Sequence, residues 1–260
     1  MMHTSLTDAE NLCRKIHSKT KYIMGGKEYP YYEHCFMVAK IVKESVKEDI
    51  DMDYCLKLCY LHDSVEDTEI TSEYLNEHFG KDVMDGVVAL SKDKDLPYEK
   101  QIEDSVRRIR LLGKKEVAIV KMADRTCNIS EILDYWSRDK YDRYLNEARL
   151  IESELGDFSP SMKNRLDGQI KKCESQLKEK KFMKYLKVDN NLYAYDTNSG
   201  LDLRYLEVDN DWDLSDVPFK ELSKKENAEV LSEKQAMEIT SGHPPYQFIE
   251  EFEKGLQLLG

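Results

Sequence analysis

Tyr60-Leu61-His62-Asp63-Ser64-Val65-Glu66-Asp67-Thr68 crowds His62, Asp63, Glu66 and Asp67 into the end of a segment that begins apolar. Charge packed this densely against a hydrophobic helix is costly unless a partner neutralises it. The pattern predicts a helix over Met52–Glu66, on which His62 and Glu66, and likewise Asp63 and Asp67, lie one turn apart and converge on one side. A divalent cation would neutralise such a cluster, so the stretch reads as one wall of a metal site in a helical protein.

Outward from it, Asp8 to about Lys181 alternates apolar and charged residues at the three-to-four spacing of amphipathic helices. Helices are predicted over Asp8–Lys19, Tyr31–Glu44, Met52–Glu66, Thr71–Phe79, Lys81–Ser91, Pro97–Leu112, Lys114–Tyr135, Lys140–Leu155 and Pro160–Lys181. Pro97 and Pro160 sit at first-turn positions, where a missing N–H costs nothing, and Gly113 sits where a helix C-terminus favours glycine. The character then changes. Tyr185–Asp189, Leu192–Asp196, Leu203–Val208 and Asp211–Leu214 are short, alternating and rich in Tyr and Val, with Asn190-Asn191 and Asn198-Ser199-Gly200 as turns. Tyr185–Asn190 nearly repeats as Tyr205–Asn210, which two similar hairpin strands explain. Glu226–Gly260 predicts two short helices separated by Gly242-His243-Pro244-Pro245. The expected architecture is an all-α helical bundle, residues 1–181, with a small C-terminal α+β appendage, residues 182–260.

The formal charge of -12, from 51 acidic against 39 basic side chains, argues against a broad grip on nucleic acid and leaves small anionic ligands open. Met1–Thr20 lacks the apolar run of about 7–15 residues that a signal peptide needs, and nothing reaches transmembrane length, so a cytoplasmic protein without a membrane partner is expected. Cysteines 13, 35, 55, 59, 127 and 173 form no Cys-x-x-Cys pair and read as buried small hydrophobes in a reducing compartment. Cys55 and Cys59 lie one turn apart but lack a second pair to complete a zinc site.

One helix rarely fills a coordination shell, and two further segments offer ligands. His34 follows Pro30-Tyr31-Tyr32-Glu33 at the start of a helix with an apolar face, and Asp124 interrupts the apolar run Val117-Ala118-Ile119-Val120-Lys121-Met122-Ala123. His34, His62, Asp63 and Asp124 make a mixed shell suited to Mn²⁺, Fe²⁺, Co²⁺ or Zn²⁺ rather than Ca²⁺. Such an ion lowers the pKa of a bound water and neutralises a phosphoryl oxygen. Glu66 and Asp67, too many carboxylates to ligate as well, are left to orient or deprotonate the water and to protonate the leaving group, with Glu66 favoured as base. Asn128, one turn beyond Asp124, points to substrate or to a hydrogen bond behind the ligands; a helix-surface amide is the plainer reading, as is a solvated face for Lys121 and Arg125. His3, His17, His78 and His243 have no such company and read as solvated or packing side chains.

These pieces, spread over most of residues 8–155, resemble the hydrolase domain of the RelA/SpoT family, particularly its small stand-alone members that remove pyrophosphate from (p)ppGpp. Pro30-Tyr31-Tyr32-Glu33-His34 is similar to the family's Pro-Tyr-Ile-x-His, and Leu61 to Thr68 to its Leu-His-Asp-x-Val-Glu-Asp-Thr. Val120-Lys121-Met122-Ala123-Asp124-Arg125-Thr126-Cys127-Asn128 is similar to Val-Lys-Leu-Ala-Asp-Arg-x-x-Asn. The Glu-Asp pair after His-Asp separates this family from generic HD phosphohydrolases. The resemblance implies that the bundle is an HD domain and that Mn²⁺ is held by His34, His62, Asp63 and Asp124. It further implies that Glu66 and Asp67 are the catalytic pair and that Asn128 meets a phosphorylated purine nucleotide. The implied reaction is release of the 3′-pyrophosphate of a guanosine alarmone, giving GDP or GTP; small metazoan members are also associated with removing the 2′-phosphate of NADPH.

The chain departs from the family pattern before Pro-Tyr, where an Arg-Lys pair is replaced by a stretch offering only Lys21 and Lys27; with Arg125 these are the candidate substrate cations. Asn128-Ile129-Ser130 replaces Asn-(Met/Leu)-Arg, and Cys35 replaces a proline. Residues 182–260 are too short for the synthetase domain of the long members, so alarmone synthesis is not expected. This segment is a candidate for gating the site, forming oligomers or recruiting a partner. A nucleotide sensor or toxin-neutralising protein is the non-enzymatic rival, and the complete Glu66-Asp67 pair argues against it, because a sensor has no use for a general base.

Overall fold

The computed structural model describes residues 4–24, 27–131, 138–179, 183–197, 200–231, 233–242, 245 and 248–249. His3, the helix expected to run on to Tyr135, the turn at Asn198-Ser199 and the His243-Pro244 break fall wholly or partly outside the described residues. The chain divides into two compact units, Met1–Lys178 and Glu179–Gly260.

The first unit is helical: α1 Leu6–Ile16, α2 Tyr32–Ser45, α3 Met52–Leu61, α4 Ser64–Asp67, α5 Ser72–Phe79, α6 Lys81–Leu90, α7 Tyr98–Leu112, α8 Lys115–Asn128, α9 Arg138–Leu155 and α10 Pro160–Glu179. Its axle is α8. Val117, Ala118, Ile119, Val120, Met122 and Ala123 are all fully buried, and α2, α3, α6, α7 and α9 pack around it. A helix buried on nearly every side is a core element. The ends are built from sequence-local chemistry: Ser5 and Asp8 form a reciprocal capping box on α1, Asp51 and Thr71 cap α3 and α5, and Gly113, at φ +68, closes α7 in the left-handed region.

Two sequence readings are corrected here. The stretch between α1 and α2, to which no regular structure is assigned from sequence, contains an antiparallel hairpin of β1 Lys21–Met24 and β2 Lys27–Pro30, with Tyr22 paired to Tyr29 and Met24 to Lys27. The single helix expected over Met52–Glu66 is broken. It ends at Leu61, His62 is its cap, and Asp63, at φ -96 and ψ 2, starts the short turn α4. The buried Ser64 hydroxyl donates to the Leu61 carbonyl at 2.6 Å, taking over a helix-end acceptor that an unbroken helix would pair with a backbone N–H.

Close packing limits what this core accepts. Gly86 in α6 faces α3 and α8 so closely that a Cβ would stand 2.7 Å from Leu58 Cδ2 and 2.8 Å from the Tyr54 hydroxyl oxygen. Gly86→Ala, usually favourable inside a helix, is therefore expected to destabilise by about 1–3 kcal/mol, read as a lower urea midpoint at unchanged m-value.

The second unit is an antiparallel sheet of β3 Met183–Val188, β4 Asn191–Asp196, β5 Asp202–Leu206, β6 Asp211–Leu214 and β7 Ala228–Leu231, in the order β6-β5-β4-β3-β7. The two similar sequence stretches fall in β3 and β5, where Tyr185 and Tyr205 both pack near Trp212, at ring separations of 6.3 and 5.4 Å. That core also takes in Leu192, Ala194, Leu203, Leu231 and Ala236, the last from α12 Glu233–Ile239. On the other face Leu186 and Val188 meet Leu222 from α11 Phe219–Leu222. Ala228–Leu231, expected within a helix, is instead an edge strand on β3. Among the described residues, no helix is long and apolar enough to cross a membrane.

Candidate active site

Three elements of the helical unit bring the expected ligands together. The start of α2 supplies His34, the break between α3 and α4 supplies His62 and Asp63, and the last turns of α8 supply Asp124. The break matters because consecutive helical side chains diverge by about 100°; leaving the helix at His62 lets both neighbours face the same point. His34 Nε2 lies 3.2 Å from Asp124 Oδ1 and 3.8 Å from Asp63 Oδ2, and His62 Nε2 lies 3.0 and 3.8 Å from Asp63 Oδ2 and Asp124 Oδ1. Ligands roughly 2.1 Å from one octahedral ion are about 3 Å apart when adjacent, so these spacings suit a shared cation.

The hydrogen bonds favour the same reading. His62 Nδ1 donates to the Cys59 carbonyl at 2.9 Å, which turns the lone pair of Nε2 toward the cluster, as in metal-ligating histidines. That Nε2 is buried and, despite its approach to Asp63, has no partner in hydrogen-bonding geometry. Each carboxylate accepts a further hydrogen bond on the oxygen that faces the histidines: the Tyr31 hydroxyl donates to Asp63 Oδ2 at 2.8 Å, and Asn128 Nδ2 donates to Asp124 Oδ1 at 2.7 Å. Cys35 also approaches His62 and Asp63. Its hydrogen bond with Cys13 and its burial push the thiol well up. The imidazole and carboxylate donors fit a divalent ion. Tyr31→Phe, which frees Asp63, is expected to weaken metal affinity about 10- to 100-fold with the fold intact, measurable by competition with a chelator.

Without an ion, the cluster stores charge. Burial lowers the His62 imidazole, but Asp63 and Asp124 outweigh it and hold it at about 9, against the ordinary 6.5. Burial raises the two carboxyls, yet His62 beside Asp63 and the His34 hydrogen bond on Asp124 bring both well below the carboxylate range. The raised histidine stabilises the fold fully below pH 6.5, and its contribution disappears as pH rises through 9. The depressed carboxyls contribute above about pH 4 and lose their contribution in acid. Metal-free stability in urea is thus expected to decline from pH 6.5 to 9, while metal affinity climbs over the same window because the ion competes with the proton.

The remaining expected residues are placed differently from one another. Glu66, the expected base, has both of its oxygens held by Lys92, the amide N–H on Oε2 at 2.8 Å and the ammonium on Oε1 at 2.9 Å. Asp67 is partly exposed, 3.8 Å from Lys94, and its carboxyl is raised by burial and by the charges of Asp63 and Glu66. Asn128 is turned onto Asp124. Arg125 is buried, paired with Glu147 of α9 at 2.7 Å and stacked over Tyr144 at 4.6 Å. Lys21 and Lys27 are exposed on the hairpin, Lys21 being 3.5 Å from Glu28. His17 is fully buried against Tyr31, at a ring separation of 5.2 Å, and His78 stacks on Tyr74. Sequence reasoning missed Tyr31 as the holder of Asp63, although it precedes His34 by three residues, and Lys92, 26 positions from Glu66, which carried no signal.

Comparison with known proteins places this geometry in context. A family profile described as "HD domain" matches residues 9–150, which includes every site residue above. The chain is 26% identical over 166 residues to the guanosine-3′,5′-bis(diphosphate) 3′-pyrophosphohydrolase MESH1 of Xenopus tropicalis, covering 62% of this chain and 90% of that protein. It is 33% identical over 145 residues to a GTP pyrophosphokinase of Myxococcus xanthus, covering 53% of this chain but 18% of that much longer protein. The fold is similar to a solved structure of a metazoan ortholog of SpoT that hydrolyses ppGpp, with a TM-score of 0.57 and 21% identity over 64% of this chain and 94% of that one.

Proposed function

We propose, because the chain belongs to the HD domain family, that it is a metal-dependent hydrolase removing the 3′-pyrophosphate of a guanosine nucleotide of the (p)ppGpp type. One observation carries the chemistry: two imidazoles and two carboxylates from three separate elements converge with the Glu66-Asp67 pair beside them. The substrate class is supported by relatives named as guanosine-3′,5′-bis(diphosphate) 3′-pyrophosphohydrolases. His34, His62, Asp63 and Asp124 would hold the ion, with Mn²⁺ our choice. Bound there, it would supply Lewis acidity for attack on a phosphate ester.

The chain's own groups account for the protons. Glu66 takes a proton from the water that adds to the phosphorus next to the ribose. The bond from that phosphorus to O3′ breaks, and Asp67, whose carboxyl is raised by burial and by the charges of Asp63 and Glu66, gives a proton to the departing O3′. The products are a nucleotide with a free 3′-hydroxyl and pyrophosphate. Asn128, through Asp124, and Tyr31, through Asp63, keep the metal-binding carboxylates aimed. Lys21, Lys27 and Arg125 are retained as candidate phosphate contacts, Arg125 at the expense of its pair with Glu147.

Product analysis of the Mn²⁺-loaded protein with ppGpp and with NADPH tests the proposal. Pyrophosphate from ppGpp is the expected result. Orthophosphate from NADPH alone would move the activity to a nucleotide phosphatase, and binding of either nucleotide without turnover would make the chain a sensor.

A further inference from the structure

Lys92 stands just beyond the end of α6 and grips Glu66 in two unlike ways. The backbone contact is fixed. Arg108 ties down the surrounding segment by donating to the Val88 carbonyl and, at 2.6 Å, to the Ser91 carbonyl, while the Asp93 side chain and carbonyl accept from the amides of Asp95 and Leu96. The Lys92 N–H that meets Glu66 Oε2 is thereby set in place. The ammonium on Oε1 is not fixed in the same way. It ends a four-carbon stem and carries three donors, on a side chain that is 32% exposed while that of Glu66 is 12% exposed. It also feels Asp124 and Asp63, which puts it within the field of the metal-binding cluster.

A carboxylate with a cation on one oxygen and an amide on the other is a poor acceptor for a proton from water. The nucleotide proposed above brings a diphosphate whose charge exceeds that of a single carboxylate, and it competes for the ammonium. We propose that Lys92 exchanges partners on substrate binding: its ammonium leaves Glu66 Oε1 for a phosphoryl oxygen, while its amide keeps Oε2, so the base is freed and aimed only when substrate is present. Lys92 is then a phosphate contact and, through Glu66, a positioning residue. This rests on the hydrolase reading given under Proposed function.

The exchange makes a prediction of sign that a static ion pair does not. Binding is measured on Mn²⁺-loaded protein with a guanosine nucleotide in which a methylene replaces the 3′ oxygen, so that the scissile bond cannot be cleaved. Glu66→Gln, which releases the ammonium beforehand, is expected to tighten binding about tenfold, and Lys92→Met to weaken it about 10- to 100-fold, the scale of one charge-assisted hydrogen bond. In the Lys92→Met background, Glu66→Gln is expected to change affinity less than about twofold. Unchanged or weaker binding by Glu66→Gln overturns the exchange. So does tightening that persists without Lys92, since that is the through-space effect of removing a negative charge. Lys92→Gln replaces Lys92→Met if the latter does not fold. Wild-type protein that binds neither this nucleotide nor inorganic pyrophosphate overturns the hydrolase reading, and the exchange with it; wild-type binding with no response to Glu66→Gln overturns the exchange alone.

Discussion

Asp124→Ala is expected to lose tight metal binding and to lower metal-dependent hydrolysis about 10³-fold or more, since a Lewis-acid ion supplies several kcal/mol of transition-state stabilisation. The reason is visible in the cluster: Asp124 Oδ1 is the group His34 approaches at 3.2 Å and Asn128 at 2.7 Å, so its removal takes away a ligand and leaves two buried imidazoles with half their countercharge. Metal content per chain, measured after dialysis alongside turnover, checks both halves. Full metal content with lost turnover would mean that Asp124 serves the reaction rather than the ion.

Glu66→Gln is expected to give the opposite division. Its carboxylate is bound to Lys92 rather than to the His and Asp cluster, so metal content stays at the wild-type value while turnover falls about 10²- to 10⁴-fold, the range for a lost general base. The amide keeps an acceptor for the Lys92 N–H, so melting temperature is a fair control for folding. Turnover within a factor of about three of wild type would remove Glu66 from the chemistry and leave Asp67 as the base.

Much of this was legible in the chain, for identifiable reasons. Asp124 stood out because a carboxylate directly after the run Val117–Ala123 has no business in an apolar helix without a cation, and the structure buries nearly all of that helix. The alternation of Leu192-Tyr193-Ala194-Tyr195 marked β4, whose burial follows the same period. What failed did so where local pattern and tertiary contact disagree. Ser64-Val65-Glu66-Asp67 continues the helical spacing of α3 without a Gly or Pro, so the break at His62 and Asp63 is set by the site and not by propensity. The β1–β2 hairpin had a signal that was passed over, since Gly25-Gly26 separates two short runs containing Tyr and Ile. The Glu66–Lys92 pair had none, because an ion pair closed across helix packing leaves no periodicity behind.

All six cysteines are free and buried, and all lie in the helical unit, from Cys13 to Cys173. Burial and hydrogen bonding raise the thiols of Cys35 and Cys59 well above the ordinary value, and burial raises that of Cys173 to about 11. An alkylating reagent therefore meets no exposed thiol in the folded bundle and modifies a chain when the bundle opens. Because the sheet unit contains no cysteine, the labelling rate is a clock for one half of the protein alone. The chain thus carries, without any engineering, a covalent record of how often its helical half comes apart.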